Sequence, residues 1–154
     1  MRNLGTPLHG INYFKELKKY FPIEVFTIYD ERVPIGSMFC LSDDNTLCVL
    51  YAYTKPEFSK IYANYFLYLS VVRWAINNKF KYLDMGRSAY DSGTFHFKKK
   101  FRPKFYAIKS NTDYSSNKKL KILSEIWKKL PLPIANYIGP RVRRYLPWNI
   151  LNLL

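Results

Sequence analysis

Between Lys81 and Phe101 the chain reads KYLDMGRSAYDSGTFHFKKKF. An acid (Asp84), a glycine (Gly86), a guanidinium (Arg87) and a hydroxyl (Ser88) come directly after a short apolar run. A second glycine (Gly93), then Phe97 and Lys98, follow within the same connection. Polar groups delivered by a rigid element to a loop are well placed to bind a ligand. Gly86 permits a close approach or a backbone geometry that a side chain would block. The Arg87 fork suits a carboxylate or a phosphate. The segment opening at Gly93 reads as a helix start, whose N–H groups can face an anion. When an amine attacks a carbonyl, negative charge develops on the oxygen, and a donor or cation aimed there lowers the barrier by a few kcal/mol. Lys98 is the candidate for that task. A simpler reading stands beside each of these. Asp84 can pair with Arg87 in an ordinary turn, and Lys98, Lys99 and Lys100 can form a solvated basic edge. His96 has no evident acid or nucleophile partner in the sequence, which favours a packed or surface histidine over a general base.

The chain that must position these residues has 154 of them, 48% hydrophobic and 18% aromatic. That is enough for one domain with a real core and excludes a disordered protein. Charge is uneven. Residues 1–95 carry 11 basic and 9 acidic side chains, whereas residues 96–154 carry 14 basic and 2 acidic, Asp113 and Glu125. The basic last third implies an anionic partner: nucleic acid, an anionic membrane surface or a phosphorylated substrate. The two cysteines, Cys40 and Cys48, flank a polar turn; they make neither a disulfide framework nor a metal set, and two reduced thiols are expected. The N-terminus lacks the apolar segment of a secretory leader. The apolar run Ile61–Val72 is too short for a span of about 20 residues. A cytoplasmic protein is expected, with peripheral contact at the inner membrane face as an open alternative.

Periodicity predicts a helix over Asn12–Phe21, with Tyr13, Phe14, Leu17 and Phe21 on one face and Pro22 ending it. Three alternating runs, Ile23–Tyr29, Ile35–Leu41 and Thr46–Tyr53, read as an antiparallel meander. A long helix over Phe58–Asn78 carries Leu67, Val71 and Trp74 inward and leads to a strand at Tyr82–Met85, laid parallel to the previous one by the crossover. A short helix over Gly93–Phe101, a strand over Lys104–Lys109 and an amphipathic helix over Lys118–Leu130 follow, the last with Leu120, Leu123, Ile126, Trp127 and Leu130 inward. Residues 131–154 are interrupted by Pro131, Pro133, Pro140 and Pro147 and mix arginines with apolar residues. They read as a basic amphipathic tail, packed on the domain or lying on an anionic membrane. The order of elements gives an α/β fold with one mixed central sheet and helices on both faces.

Several strings then occur in a fixed order: Arg2-Asn3-Leu4-Gly5-Thr6-Pro7, Tyr13-Phe14, Ala63-Asn64 with Leu67-Tyr68, Asp84-Met85-Gly86-Arg87-Ser88, Gly93-Thr94 and Phe97-Lys98-Lys99. Together they resemble the C-terminal domain of the FemAB-like family, GNAT-fold proteins related to the aminoacyl transferases of peptidoglycan bridge formation. The likeness is greatest to members associated with surface polysaccharide and exosortase systems. It implies a GNAT-like fold over residues 1–130, lacking its first strand and helix, with residues 131–154 as the tail. It implies transfer of an activated acyl group to an amino group of a cell-envelope glycan or lipid-linked precursor. The donor would be a co-substrate, aminoacyl-tRNA or acyl-CoA, with no tightly bound cofactor and no metal. Phe97 and Lys98 would serve catalysis, and Asp84, Gly86, Arg87, Ser88, Gly93 and Asn64 the substrate cleft. The chain departs from the pattern in two places. Phe101 is followed by Arg102 where the family has glycine, so the next strand is expected to leave at a different angle. The missing first strand and helix point to either a truncated reading frame or one part of a split enzyme with a separate N-terminal half. GNAT enzymes that use coenzyme A place a glycine-rich loop before the long helix, whereas Thr54–Lys60 here holds no glycine with which to cradle a pyrophosphate, which argues against acetyl-CoA. Two alternatives remain: a coenzyme A-dependent acetyltransferase, and a non-catalytic truncated or accessory domain that binds RNA or an acidic glycan.

Overall fold

The computed structural model of the protein describes residues 7–108 and 118–145. They fall into two compact units: Leu17–Phe105, and the described parts of Met1–Glu16 and Tyr106–Leu154.

The first unit is built on a meander. Helix α1 (Ile11–Tyr20), of which only Leu17–Tyr20 belong to this unit, stops before Pro22, and β1 (Ile23–Asp30), β2 (Val33–Ser42) and β3 (Thr46–Thr54) pair antiparallel in sequence order. In the β2–β3 turn the Asp43 carboxylate accepts from the N–H groups of Asn45 (2.9 Å) and Thr46 (2.7 Å). Such an Asx turn closes a hairpin without glycine. Two bulges interrupt the ladders. One leaves Ile35 without a partner beside Pro34, which has no N–H to give; the other leaves Leu50 without a partner between Val49 and Tyr51.

Helix α2 (Ala63–Asn77) crosses one face of the sheet and delivers β4 (Tyr82–Asp84) parallel to β3, in the order β1-β2-β3-β4. Met38, Cys40, Leu47, Leu67 and Val71 are fully buried between α2 and the sheet. Burial of each such aliphatic side chain contributes about 1.5–3 kcal/mol. The expected inward face of α2 is therefore present in Leu67 and Val71, with Trp74 partly buried against Phe26. The helix ends in a Schellman turn. Phe80 N–H donates to Ala75 O, Lys79 N–H to Ile76 O, Lys79 takes φ 62°, and Phe80 stacks on Trp74. This hydrophobic clasp explains a stop that carries no glycine.

The structure corrects five expectations. The helix expected from Phe58 is broken: Pro56–Ile61 is a 3-10 turn, and Tyr62, at φ 57°, separates it from α2. The expected strand at Lys104–Lys109 is absent over Lys104–Ile108, where the backbone is irregular; Pro103 supplies no N–H for a ladder, and Lys109 lies outside the described residues. Helix α3 (Gly93–Lys99) ends two residues early. In the second unit, α4 (Lys118–Lys129) buries Trp127, which meets Gly139 of the next helix, and has Leu130 half-buried after its end, but leaves Leu123 and Ile126 exposed; the position of the Leu120 side chain lies outside the described residues. That next helix, α5 (Leu132–Tyr145), runs through the segment expected to be broken by prolines. Pro133 sits in its first turn, where N–H groups have no intrahelical partner to lose. Pro140, in the interior, packs its ring against Gly10. Gly139 lets Trp127 and the Leu8 backbone come within van der Waals distance of the helix. The motif residues Arg2–Thr6 and the tail beyond Tyr145 lie outside the described residues.

The two cysteines are free. Cys40 pairs in register with Val49, and Leu41 with Cys48, so the thiols point to opposite faces of the sheet. Burial pushes the Cys40 thiol up to about 12.

Candidate active site

The site is a fork. Strand β4 accompanies β3 only from Thr46↔Tyr82 to Cys48↔Asp84, while β3 continues to Thr54. The bulge at Leu50 lies just beyond the point of parting. A bulge leaves one residue unpaired in the ladder and bends the strand locally. Here it lies beside the opening.

Asp84 ends β4 at the fork and is exposed. Its Oδ1 accepts from Gly86 N–H at 2.7 Å, turning the chain sharply. Cys48, opposite it in register, hydrogen-bonds the same carboxylate; burial first, then the charge of Asp84 and that bond, raise the thiol pKa. Gly86 sits at φ +72° with its Cα face pressed on β3: a Cβ there would lie 3.0 Å from Val49 O. Both the left-handed backbone and the close approach require glycine.

Lys98 is the one buried charged or polar side chain among the described residues, at 7% exposure. Its Nζ donates to Gly86 O (2.9 Å) and Arg87 O (3.0 Å). Helix α3 is thereby tied to the loop beyond β4. Desolvation lowers the Lys98 pKa, and the nearby Asp84 carboxylate opposes that shift. Neighbouring Phe97 belongs to a ring cluster, edge-on to Tyr65 (4.9 Å) and Tyr68 (5.0 Å) of α2 and to Phe101 (5.5 Å). It fixes α3 against α2. The amine that sequence reasoning aimed at a carbonyl of the substrate is thus engaged with two carbonyls of its own loop.

The structure brings Asp84, Gly86, Arg87 and Lys98 together. The Ser88 side chain is the next in line, and its Oγ is buried with no hydrogen-bond partner among the described residues. Asn64 stands apart on the first turn of α2, half-buried. Gly93 opens α3, but Ser92 caps that helix by accepting from Phe95 N–H, and a Cβ on Gly93 would meet nothing within 4 Å. One of the N–H groups of the helix start is therefore taken by its own chain.

Two features escaped the sequence reading. His96 does have an acid partner: Asp91 Oδ1 lies 2.8 Å from its Nε2, both side chains being exposed. Asp91 takes φ 60°, a conformation that Asp tolerates better than most residues; an acid at a turn five residues before the histidine was the available signal. The bulge at Leu50 had none. Two objections also lose force. The loop before α2 has no glycine, yet Tyr62 adopts the left-handed conformation after the 3-10 turn, the conformation a glycine would otherwise supply. Arg102, standing where a glycine was expected, takes φ 51° and so keeps the glycine-like turn.

An open groove of about 820 Å³ lies at the far end of the same strands, lined by Asp43, Asp44, Thr46, Lys81 and Tyr82 among others. Its Asp43 carboxylate is already committed to the turn, which lowers its pKa. Among the described residues no three His, Cys, Asp or Glu side chains are grouped to hold a metal ion, and no helix is long and apolar enough to cross a membrane.

A family model described as an acetyltransferase (GNAT) domain matches residues 11–99, the span from α1 through α3 that contains the whole fork. Among solved structures, the chain is similar to AAC(6')-Iy in complex with the bisubstrate analogue CoA-S-monomethyl-acetylneamine. The identity is 15%, the TM-score 0.52, and the match covers 71% of this chain and 88% of that one. It is also similar to a protein described as a GNAT-family acetyltransferase from Bacteroides thetaiotaomicron, at 14% identity and TM-score 0.41, over 63% of this chain and 55% of that one. None of the curated proteins matches.

Proposed function

The chain belongs to the GNAT acetyltransferase family, and from that premise we propose that it is an N-acyltransferase that moves an acyl group from coenzyme A to an amino group of a cell-envelope glycan or its precursor. The observation that carries this reading is the parting of β3 and β4 right after Cys48 and Asp84, next to the Leu50 bulge.

The thioester lies in the fork with its carbonyl oxygen toward a backbone N–H on the edge of β3 that β4 leaves uncovered beyond Cys48. A backbone donor fixed in advance stabilises the oxyanion without reorganising. The pyrophosphate of the donor meets the N–H groups of the first turn of α2, where Asn64 stands. The coenzyme A part of the analogue bound by AAC(6')-Iy supports this donor over aminoacyl-tRNA. The acceptor amine approaches Asp84, whose carboxylate is held by Gly86 N–H. As the C–N bond forms and the C–S bond breaks, the amine proton passes to Asp84 and the coenzyme A sulfur leaves and takes up a proton. Lys98 and Phe97 position the loop: Lys98 fixes Gly86 and Arg87, Phe97 fixes α3. Arg87 and Ser88 then face the acceptor.

The envelope-glycan acceptor rests on the resemblance of the Asp84–Ser88 and Phe97–Lys99 strings and on the flank of α3. There Tyr90, Phe95 and Phe105 form a run of rings 5.2 and 5.0 Å apart, with Asp91 and His96 beside them. Flat rings next to exposed polar groups suit a sugar. The test is incubation with acetyl-CoA and amino-sugar fragments of the envelope, read by acceptor mass and free thiol release. Acetylated amino sugar is the expected product. Thiol release with simple amines but not with sugars would overturn the acceptor, and no release with any amine would overturn the transfer.

A further inference from the structure

We propose that the α4–α5 pair is a docking element that lies on the surface of an anionic lipid bilayer. Residues 118–145 carry eight Lys or Arg and one acid, Glu125. The acid is engaged with Lys128 at 2.6 Å. Trp127 and Ala135 are buried, and Gly139 admits both Trp127 and the Leu8 backbone. The pair leaves much apolar surface outside these residues. Ile122 (59% exposed), Leu123 and Ile126 (55%) occupy one side of α4, and Leu132, Ile134 and Tyr137 (69%) stand exposed on the first half of α5.

Cations and unburied aliphatic residues on the same short helices mark an interfacial element rather than a solvated one. The aliphatic residues also choose between anionic partners. A nucleic acid attracts the cations and stacks on aromatic rings, but it offers nothing to Ile122, Leu123 or Ile126. A bilayer accepts both: the acyl boundary takes the aliphatic side chains while the anionic headgroups hold the cations. Tyr137 and Arg141 add the chemistry of the headgroup level. Arg141 lies 4.3 Å over the Tyr137 ring and donates to Tyr137 O, so an aromatic body and a charged tip are held as one unit. Neither helix is a membrane span, so the element rests on the surface. The inference is independent of the reading of the fork.

The test is sedimentation of the full chain with vesicles of phosphatidylcholine containing about a third phosphatidylglycerol, against phosphatidylcholine alone. Binding to the anionic vesicles only is expected, weakening about tenfold or more as salt is raised from low to physiological strength. The exposed pair Ile122→Asp with Ile126→Asp should abolish it while circular dichroism stays that of the parent. Lys128→Glu with Arg144→Glu should weaken binding to anionic vesicles by a similar factor. Equal binding to neutral vesicles, retention of binding by the Ile122/Ile126 variant, or salt-sensitive binding to RNA with none to vesicles would each overturn the proposal.

Discussion

Lys98 Nζ donates to the carbonyl oxygens of both Gly86 and Arg87, at 2.9 and 3.0 Å, and so ties helix α3 to the loop beyond β4. A buried ammonium in this position holds the loop's shape and lends it positive charge. Hydrogen bonds from a charged donor are worth about 1.5–3 kcal/mol each. Lys98→Met, which keeps the stem and removes both bonds, should therefore cost a few kcal/mol in urea unfolding and most of the transfer rate. Its lowered pKa has a defined sign. The unfolded chain holds the proton to higher pH than the folded one, so the Lys98 contribution to stability rises with pH between the folded and unfolded values. The Met variant should lack that rise.

Ser88 offers a cleaner separation of binding from folding. Its Oγ is buried without a partner among the described residues, so Ser88→Ala removes a group that folding only desolvates and should leave stability unchanged or slightly raised. If Ser88 meets the acceptor, the same variant should raise KM for the amine several-fold with little change in urea midpoint. A drop in stability with unchanged kinetics would assign it to packing.

Arg102 occupies the left-handed region at φ 51°. An L-residue there costs about 1–2 kcal/mol that glycine does not incur, partly offset by the greater freedom of glycine in the unfolded chain. Arg102→Gly should leave stability equal or up to about 1 kcal/mol higher. Arg102→Val should lower it, which thermal melts would show.

His9 makes the second unit pH-sensitive. It stacks on Tyr13 at 3.8 Å and its Nε2 accepts from Arg143 Nε at 3.1 Å. Burial first, and the Arg143 charge second, lower its pKa from 6.5 to about 4. The unfolded chain takes up the proton first, so this contribution is full above pH 6.5 and declines as pH falls toward 4. Urea unfolding across that window should show the decline, and His9→Gln should flatten it.

The meander, the parallel crossover and the inward residues Leu67 and Val71 were legible in the sequence because period and turn chemistry agreed there. The polar cluster Asp84–Arg87 with Lys98 was legible as a cluster, since its residues are close in the chain. What Lys98 points at was not, because two backbone carbonyls carry no signature in residue type. The same holds for the Leu50 bulge, which is a property of register. Positive-φ positions at Tyr62, Lys79 and Arg102 misled glycine-based reasoning; at Lys79 the clasp of Trp74 on Phe80 holds the turn without glycine. The prolines of residues 131–145 misled for the opposite reason. Pro133 falls in a first turn, where a helix has no N–H to lose, and Pro140 is accommodated inside α5 by packing on Gly10.

The central claim is that the β3/β4 fork binds an acyl-CoA. Hydrogen–deuterium exchange of the full chain with and without acetyl-CoA tests it most directly. Slower exchange across Val49–Tyr51 and across Ala63–Tyr65 on adding acetyl-CoA is the predicted result. Unchanged exchange in both segments at millimolar acetyl-CoA, or protection confined to residues 118–145, would contradict it.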